Sequence, residues 1–167
     1  YITIFLGSIF SVTLFTLALF DFKYFWLPQS LTLGGLILGI TASLLIDLSN
    51  DFYQFSYSIY ALIASFLGFI FFNLLSHFGR KIFNKPVLGG GDAKLAAMMG
   101  SWLGINGLFI SIWLTFASAG IFVILGLVLK KIKRNQKIPL GVFLAFSGLL
   151  VWYFGNQVFL KIIFFQI

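Results

Sequence analysis

Several long stretches of this chain carry no Asp, Glu, Lys or Arg, and that constrains the fold more than any motif does. Tyr1 to Phe20, Leu31 to Ile46, Tyr57 to about Phe78 and Leu108 to Leu129 are all of this kind. Each approaches or exceeds the roughly 20 apolar residues that carry a helix across a bilayer core. A chain cannot place four such runs inside one water-soluble core. Charged residues make up 9% of the sequence, against about 25% in soluble domains, and hydrophobic ones 60%. The chain is therefore expected to be an integral membrane protein, with the lipid bilayer as its principal partner. A 20% aromatic content, mostly the 23 Phe, suits lipid-facing and interhelical surface. With no Cys, disulfides and cysteine-ligated zinc are excluded for these residues.

The punctuation between the runs gives the rest of the architecture. The first run ends at Asp21, followed by Phe22-Lys23-Tyr24-Phe25-Trp26-Leu27-Pro28, an aromatic and basic belt of the kind found at a membrane interface. A loop from Asp47 to Ser56 holds two of the four acidic residues and no basic one. The third span discharges into His77, Arg80, Lys81 and Lys85, and Val87 to Leu95 (VLGGGDAKL) forms a glycine hinge. Ala93 to Leu103 is short for a span, and Asn106-Gly107 reads as the next turn. The fifth span empties into Lys130 to Lys137, the most basic stretch, and LGVFLAFSGLLVWYF follows from Leu140. A tail, VFLKIIFFQI, completes the chain and reads as interfacial. The expected fold is all-α, a polytopic bundle of about six transmembrane helices, one of them short, forming a single domain over residues 1–167.

The basic residues orient the bundle. If the first span runs inward, ten of the eleven Lys and Arg fall at the cytoplasmic side, leaving only Lys161 elsewhere. That is what the positive-inside rule demands, so the cell inner membrane is the expected location. The basic cluster thus serves as topology determinant and headgroup anchor; no nucleic-acid partner is expected despite the net charge of +7. On this topology Asp21 closes an inward-going span and Asp92 opens an outward-going one, so both carboxylates arrive at the cytoplasmic face. Asp47 and Asp51 lie outside.

Two carboxylates meeting at one site are the minimum apparatus of an aspartyl protease. One, ionised, takes a proton from water; the other, protonated, polarises the scissile carbonyl. The residues for other hydrolytic chemistries are missing: there is no HExxH, no GxSxG, no Cys nucleophile, and the single His77 has no second histidine with which to share a metal. No metal or cofactor is expected. Asp92 should stand at or just before a helix N-terminus, because helix-forming AKLAAMM follows it. Gly89, Gly90 and Gly91 would open turns closed to other residues and let neighbouring chain approach the acid.

At these residues the chain resembles the prepilin peptidases, the GxGD-type membrane aspartyl proteases also called type IV leader peptidases. GGGDAKL (Gly89 to Leu95) matches their GxGDxKL signature at every specified position. Asp21-x6-Pro28-x2-Leu31 is similar to their first catalytic motif, with Gln29 where Asn or Asp is frequent. Ile138-Pro139-Leu140-Gly141-Val142-Phe143-Leu144 looks like their IPFGPFL segment, with Leu140 and Val142 in place of Phe and the second Pro. The resemblance implies that Asp21 and Asp92 are catalytic. Gly89, Gly90, Gly91, Lys94, Lys23 and Pro28 stand around them as supporting positions, and snorkelling alone would account for the two lysines. The implied substrate is the basic leader and hydrophobic helix of a type IV prepilin or pseudopilin, cut at the cytoplasmic face and reached through the membrane.

Many members also methylate the new N-terminus and carry a cytoplasmic domain with two CxxC pairs ahead of this segment. Neither pair is present here, which puts methyltransferase activity in doubt and makes the preflagellin peptidases the nearest alternative. A proton- or cation-coupled transporter is the rival from another class; it would place acids at mid-bilayer and show an inverted repeat.

Overall fold

The computed structural model describes residues 2–49, 56–83, 89–131, 136 and 138–155. Tyr1, Asp51, Lys85, Val87, Leu88, Lys133, Arg134, Lys137 and the tail with Lys161 lie outside the described residues. Five helices follow in order: α1 (Ile2–Tyr24), α2 (Gln29–Ser49), α3 (Ser56–Phe83), α4 (Gly90–Val128) and α5 (Leu140–Phe154). No strand occurs among the described residues.

Helix α4 is two limbs. Its 39 residues would make a rod of roughly 58 Å, far longer than a bilayer core. Gly104 breaks it, with φ 67° and ψ −174°, a left-handed backbone natural to glycine. Packing shows that the chain turns back there. A methyl group placed on Gly68 would lie 2.9 Å from the carbonyl oxygen of Ala96 and 3.1 Å from a methyl of Leu108, residues that a straight helix would hold roughly 18 Å apart. With α4 counted as two, the described residues form six helical segments. The first limb, residues 90–103, is the short one expected, roughly 21 Å long. α5, with 15 residues, is short as well.

The structure corrects three boundaries. α1 does not stop at Phe20 but continues to Tyr24, so Asp21 lies inside its last turn. It ends where Phe25 takes φ 52° and returns its N–H to the Asp21 carbonyl at 2.9 Å. The third span extends past Phe78 to Phe83, which keeps Arg80 and Lys81 in the last turn, where cations complement the helix dipole. Asn106-Gly107, a strong turn signal in water-soluble chains, is helical; Gly104 supplies the break instead.

The first limb of α4 is the bundle's axis, and Asp92, Ala93 and every residue from Leu95 to Ser101 in it are buried. Small residues let its neighbours come close. Ala61, Ala64, Ser65 and Gly68 lie on the buried face of α3, and a methyl on Gly100 would sit 2.6 Å from the carbonyl carbon and oxygen of Ala64. On the other sides Leu95, Met98 and Met99 meet Phe10, Leu14 and Leu17 of α1 and Leu144 of α5 in one core. Polar side chains pin the contacts: Trp102 Nε1 donates to the Gly35 carbonyl at 2.8 Å, and the Thr115 and Ser147 hydroxyls join α4 to α5 at 2.6 Å. Outward faces are equally apolar, with Phe15, Leu19, Phe66, Ile121 and Phe146 all exposed, as lipid-facing positions require.

Candidate active site

Contacts between the described helices place the C-termini of α1 and α3 and the N-termini of α2, α4 and α5 at one end of the bundle, and the site is built from these termini. Asp21 comes from the last turn of α1 and is only 6% exposed. Its Oδ2 accepts the Val142 N–H at 3.2 Å, in the first turn of α5. α5 has Pro139 before it, with no side chain capping its amides, so the carboxylate of α1 supplies the acceptor that the helix start lacks.

Asp92 occupies the third position of α4, 7% exposed, with Gly89 as the residue before the helix. It is thus inside the first turn rather than at its cap. Its Oδ2 accepts the Gly89 N–H at 3.2 Å while its own N–H donates to the Gly89 carbonyl, also at 3.2 Å. That reciprocal turn fixes the side chain against the helix N-terminus, where the free amides and dipole favour a carboxylate.

The three glycines divide. None of them has a left-handed backbone; Gly89 is extended at φ −74° and the other two are helical. A methyl on Gly90 would meet nothing within 4 Å, and one on Gly89 would make only ordinary contact. Gly91 alone is tight: its methyl would lie 3.0 Å from Cβ of Leu27, a buried residue of the α1–α2 connection. Close approach is what the sequence requires here, not an unusual turn.

Asp21 and Asp92 line one cleft of about 540 Å³, along with Gly89, Gly90, Gly91 and Lys94. Lys23 and Pro28 are not among the lining residues. Lys23 is exposed, its Nζ 5.3 Å from the ring centre of Tyr24, and Pro28 is buried with its carbonyl accepting the Thr32 N–H at 3.2 Å as α2 begins. Other walls come from residues the sequence did not single out for the site: Phe25, Trp26 and Leu27 from one connection, and Ile138, Pro139 and Leu140 from the entry to α5. The IPLGVFL segment was the available signal for the second group, and Gln29, also a lining residue, for the first. Gly141 is the most consequential of the positions passed over. A methyl there would lie 2.7 Å from Oδ2 of Asp21.

Two buried carboxyl groups on one cleft large enough for an extended peptide segment and water, with a lysine among its lining residues, can activate and direct a water molecule. Residues 8–129 match the family described as the type IV leader peptidase family. The chain belongs to that family. It is 30% identical over 146 residues to a prepilin leader peptidase/N-methyltransferase of Legionella pneumophila, covering 87% of this chain and 48% of that protein. A protein of the same name from Dichelobacter nodosus is 32% identical over 150 residues, 90% of this chain and 49% of its own. Another, from Pseudomonas aeruginosa, is 29% identical over 145 residues, with shares of 87% and 48%. The chain thus spans about half the length of these leader peptidase relatives. No solved structure matches it at a significant level.

Proposed function

We propose that this segment is one transmembrane peptidase domain and that it is an aspartic endopeptidase cutting the leader of type IV prepilins or pseudopilins. The observation that carries it is that Asp21 and Asp92 line the same cleft, each about one turn inside the same end of the bundle. In the reaction the ionised carboxylate takes a proton from water as its oxygen attacks the scissile carbonyl carbon. The protonated partner gives its proton to the carbonyl oxygen. The tetrahedral adduct then collapses, and the amine leaves with a proton returned by the dyad. Asp21 and Asp92 are the only acids at this end among the described residues.

The position of the cleft at one end of the bundle supports the substrate reading. A helix already in the bilayer diffuses laterally and offers the bond at its own membrane boundary, while its basic leader finds two carboxylates on an otherwise cationic surface. Lys23, Arg80, Lys81, Lys94, Lys130 and Lys131 all belong to helix termini at this end, so the positive-inside rule supports a cytoplasmic face for the cleft, in keeping with an inner-membrane protein. Against a transporter stands the position of the acids: neither lies at the middle of a helix. The reading is confined to the peptidase part of the relatives' name.

The test is cleavage of a prepilin in membranes by Asp21→Asn and Asp92→Asn. Each change is expected to abolish processing while leaving expression and membrane insertion intact. A single variant that still cuts would remove the dyad and the proposal with it.

A further inference from the structure

The N-terminus of α5 meets Asp21 in an unusual way. It holds the carboxylate on one side through the Val142 N–H at 3.2 Å, with the Gly141 amide beside it. It also leaves no room on the other. A methyl group at position 141 would lie 2.7 Å from Oδ2, 3.0 Å from Cγ and 3.4 Å from Cβ of Asp21. Gly141 is buried in the first turn of α5, where glycine has no advantage over alanine in helix propensity. Its backbone is helical, so no left-handed turn requires glycine there. What remains is the space it cedes to one side chain.

We propose that Gly141 is a positioning residue: by having no side chain it lets the carboxylate of Asp21 seat against the first-turn amides of α5, and so fixes the direction in which that carboxylate faces the cleft. The role rests on the peptidase reading. Its consequence differs from ordinary overpacking. Where a new methyl meets backbone, helices must part and stability falls, as Gly100 would do against Ala64. At Gly141 the obstructing atoms are the end of a side chain that can turn about its own bonds. The cheapest relief is therefore rotation of Asp21 itself, leaving the bundle intact and the carboxylate misdirected.

Gly141→Ala should lower kcat for prepilin cleavage by about ten- to a hundredfold, the usual consequence of displacing a reacting group by a fraction of an ångström to an ångström. KM and thermal unfolding in detergent should be unchanged, because neither the substrate contacts nor the helix packing is altered. Gly34→Ala, in α2 with nothing within 4 Å, is the control and should leave kcat and KM as they are while stability rises only by the helix propensity of alanine. Full kcat in Gly141→Ala, a rise in KM alone, or activity falling only in step with folded protein would each overturn the assignment. A readout free of catalysis separates it from the peptidase reading. The 13C carboxyl resonance of Asp21, identified by its loss in Asp21→Asn, should move in Gly141→Ala and stay in Gly34→Ala. If wild-type protein cut no prepilin yet that resonance moved, the substrate reading would fall and the seat would stand; a resonance that stayed put would sink the seat.

Discussion

Gly91 packs against Leu27 so closely that a single added carbon would lie 3.0 Å from the leucine Cβ, and through that contact the turn bearing Asp92 is held to the connection that follows Asp21. The two carboxylates come from segments 71 residues apart (92 − 21), and this is where those segments touch near the cleft. Replacing Gly91 therefore acts on the spacing of the pair before it acts on the bundle.

Gly91→Val is expected to lower prepilin cleavage by at least about tenfold, since its branches must push Leu27 or the first turn of α4 aside. Gly90→Ala should cleave like wild type, because a methyl there meets nothing within 4 Å. Rates measured at equal amounts of folded protein decide the matter. Equal losses in the two variants would mean that the whole glycine run is needed for its backbone freedom, contrary to the ordinary torsions it shows.

At the opposite end Asp47 performs a purely structural task. Its carboxylate, at the end of α2, accepts the Tyr57 and Ser58 amides at 3.1 and 2.8 Å and also the Ser58 hydroxyl, capping α3 from another helix. Asp47→Ala leaves those first-turn donors without their acceptor and should lower the stability of the protein. Thermal unfolding in detergent should show the loss, while kcat per folded molecule stays at the wild-type value. A fall in kcat without a fall in stability would mean that this acid, too, belongs to the reaction.

Two glycines should respond with opposite signs to the same substitution. Gly100→Ala drives a methyl into the backbone of Ala64 and separates α3 from α4, an overpacking that costs about 1–3 kcal/mol. Gly120→Ala, in the second limb of α4, meets nothing within 4 Å and gains about 1 kcal/mol of helix propensity. Unfolding midpoints of the pair, measured side by side, should straddle that of wild type. Midpoints moving the same way would mean that contacts outside the described residues dominate one of these positions.

What the sequence disclosed and what it withheld have physical reasons. Span lengths were legible because the bilayer imposes them, and the Asp21 and Asp92 positions because isolated acids are conspicuous in apolar surroundings. The inward faces were not, since lipid and protein core reward the same residues: Phe10 is buried and Phe15 exposed on one helix. The break at Gly104 escaped notice because Asn106-Gly107 carries the turn signature of aqueous loops, while within an apolar run the helix simply continues through it. Gly141 was invisible as a site residue for a different reason. Its partner Asp21 is 120 residues away (141 − 21), and only the packing of α5 on α1 brings them together.

The remaining prediction concerns which side of the membrane the cleft faces, and the absence of any cysteine from these 167 residues makes it easy to test by single replacements. Tyr24, Ile82 and Leu129 are exposed at or next to helix ends on the side of Asp21 and Asp92; Leu48, Tyr57 and Asn106 are exposed towards the other side. Each is changed to cysteine and challenged with a membrane-impermeant maleimide. The first three should react only in inverted vesicles and the second three only from outside intact spheroplasts, because cationic helix ends are retained in the cytoplasm. The division itself tests the turn at Gly104: were α4 a single rod, Leu129 would label with the wrong group. If the groups divide as expected but with their sides exchanged, the bundle is correct and the cleft faces outward. A leader held in the cytoplasm could then never reach Asp21 and Asp92, and the prepilin reading would fall even with both carboxylates in place.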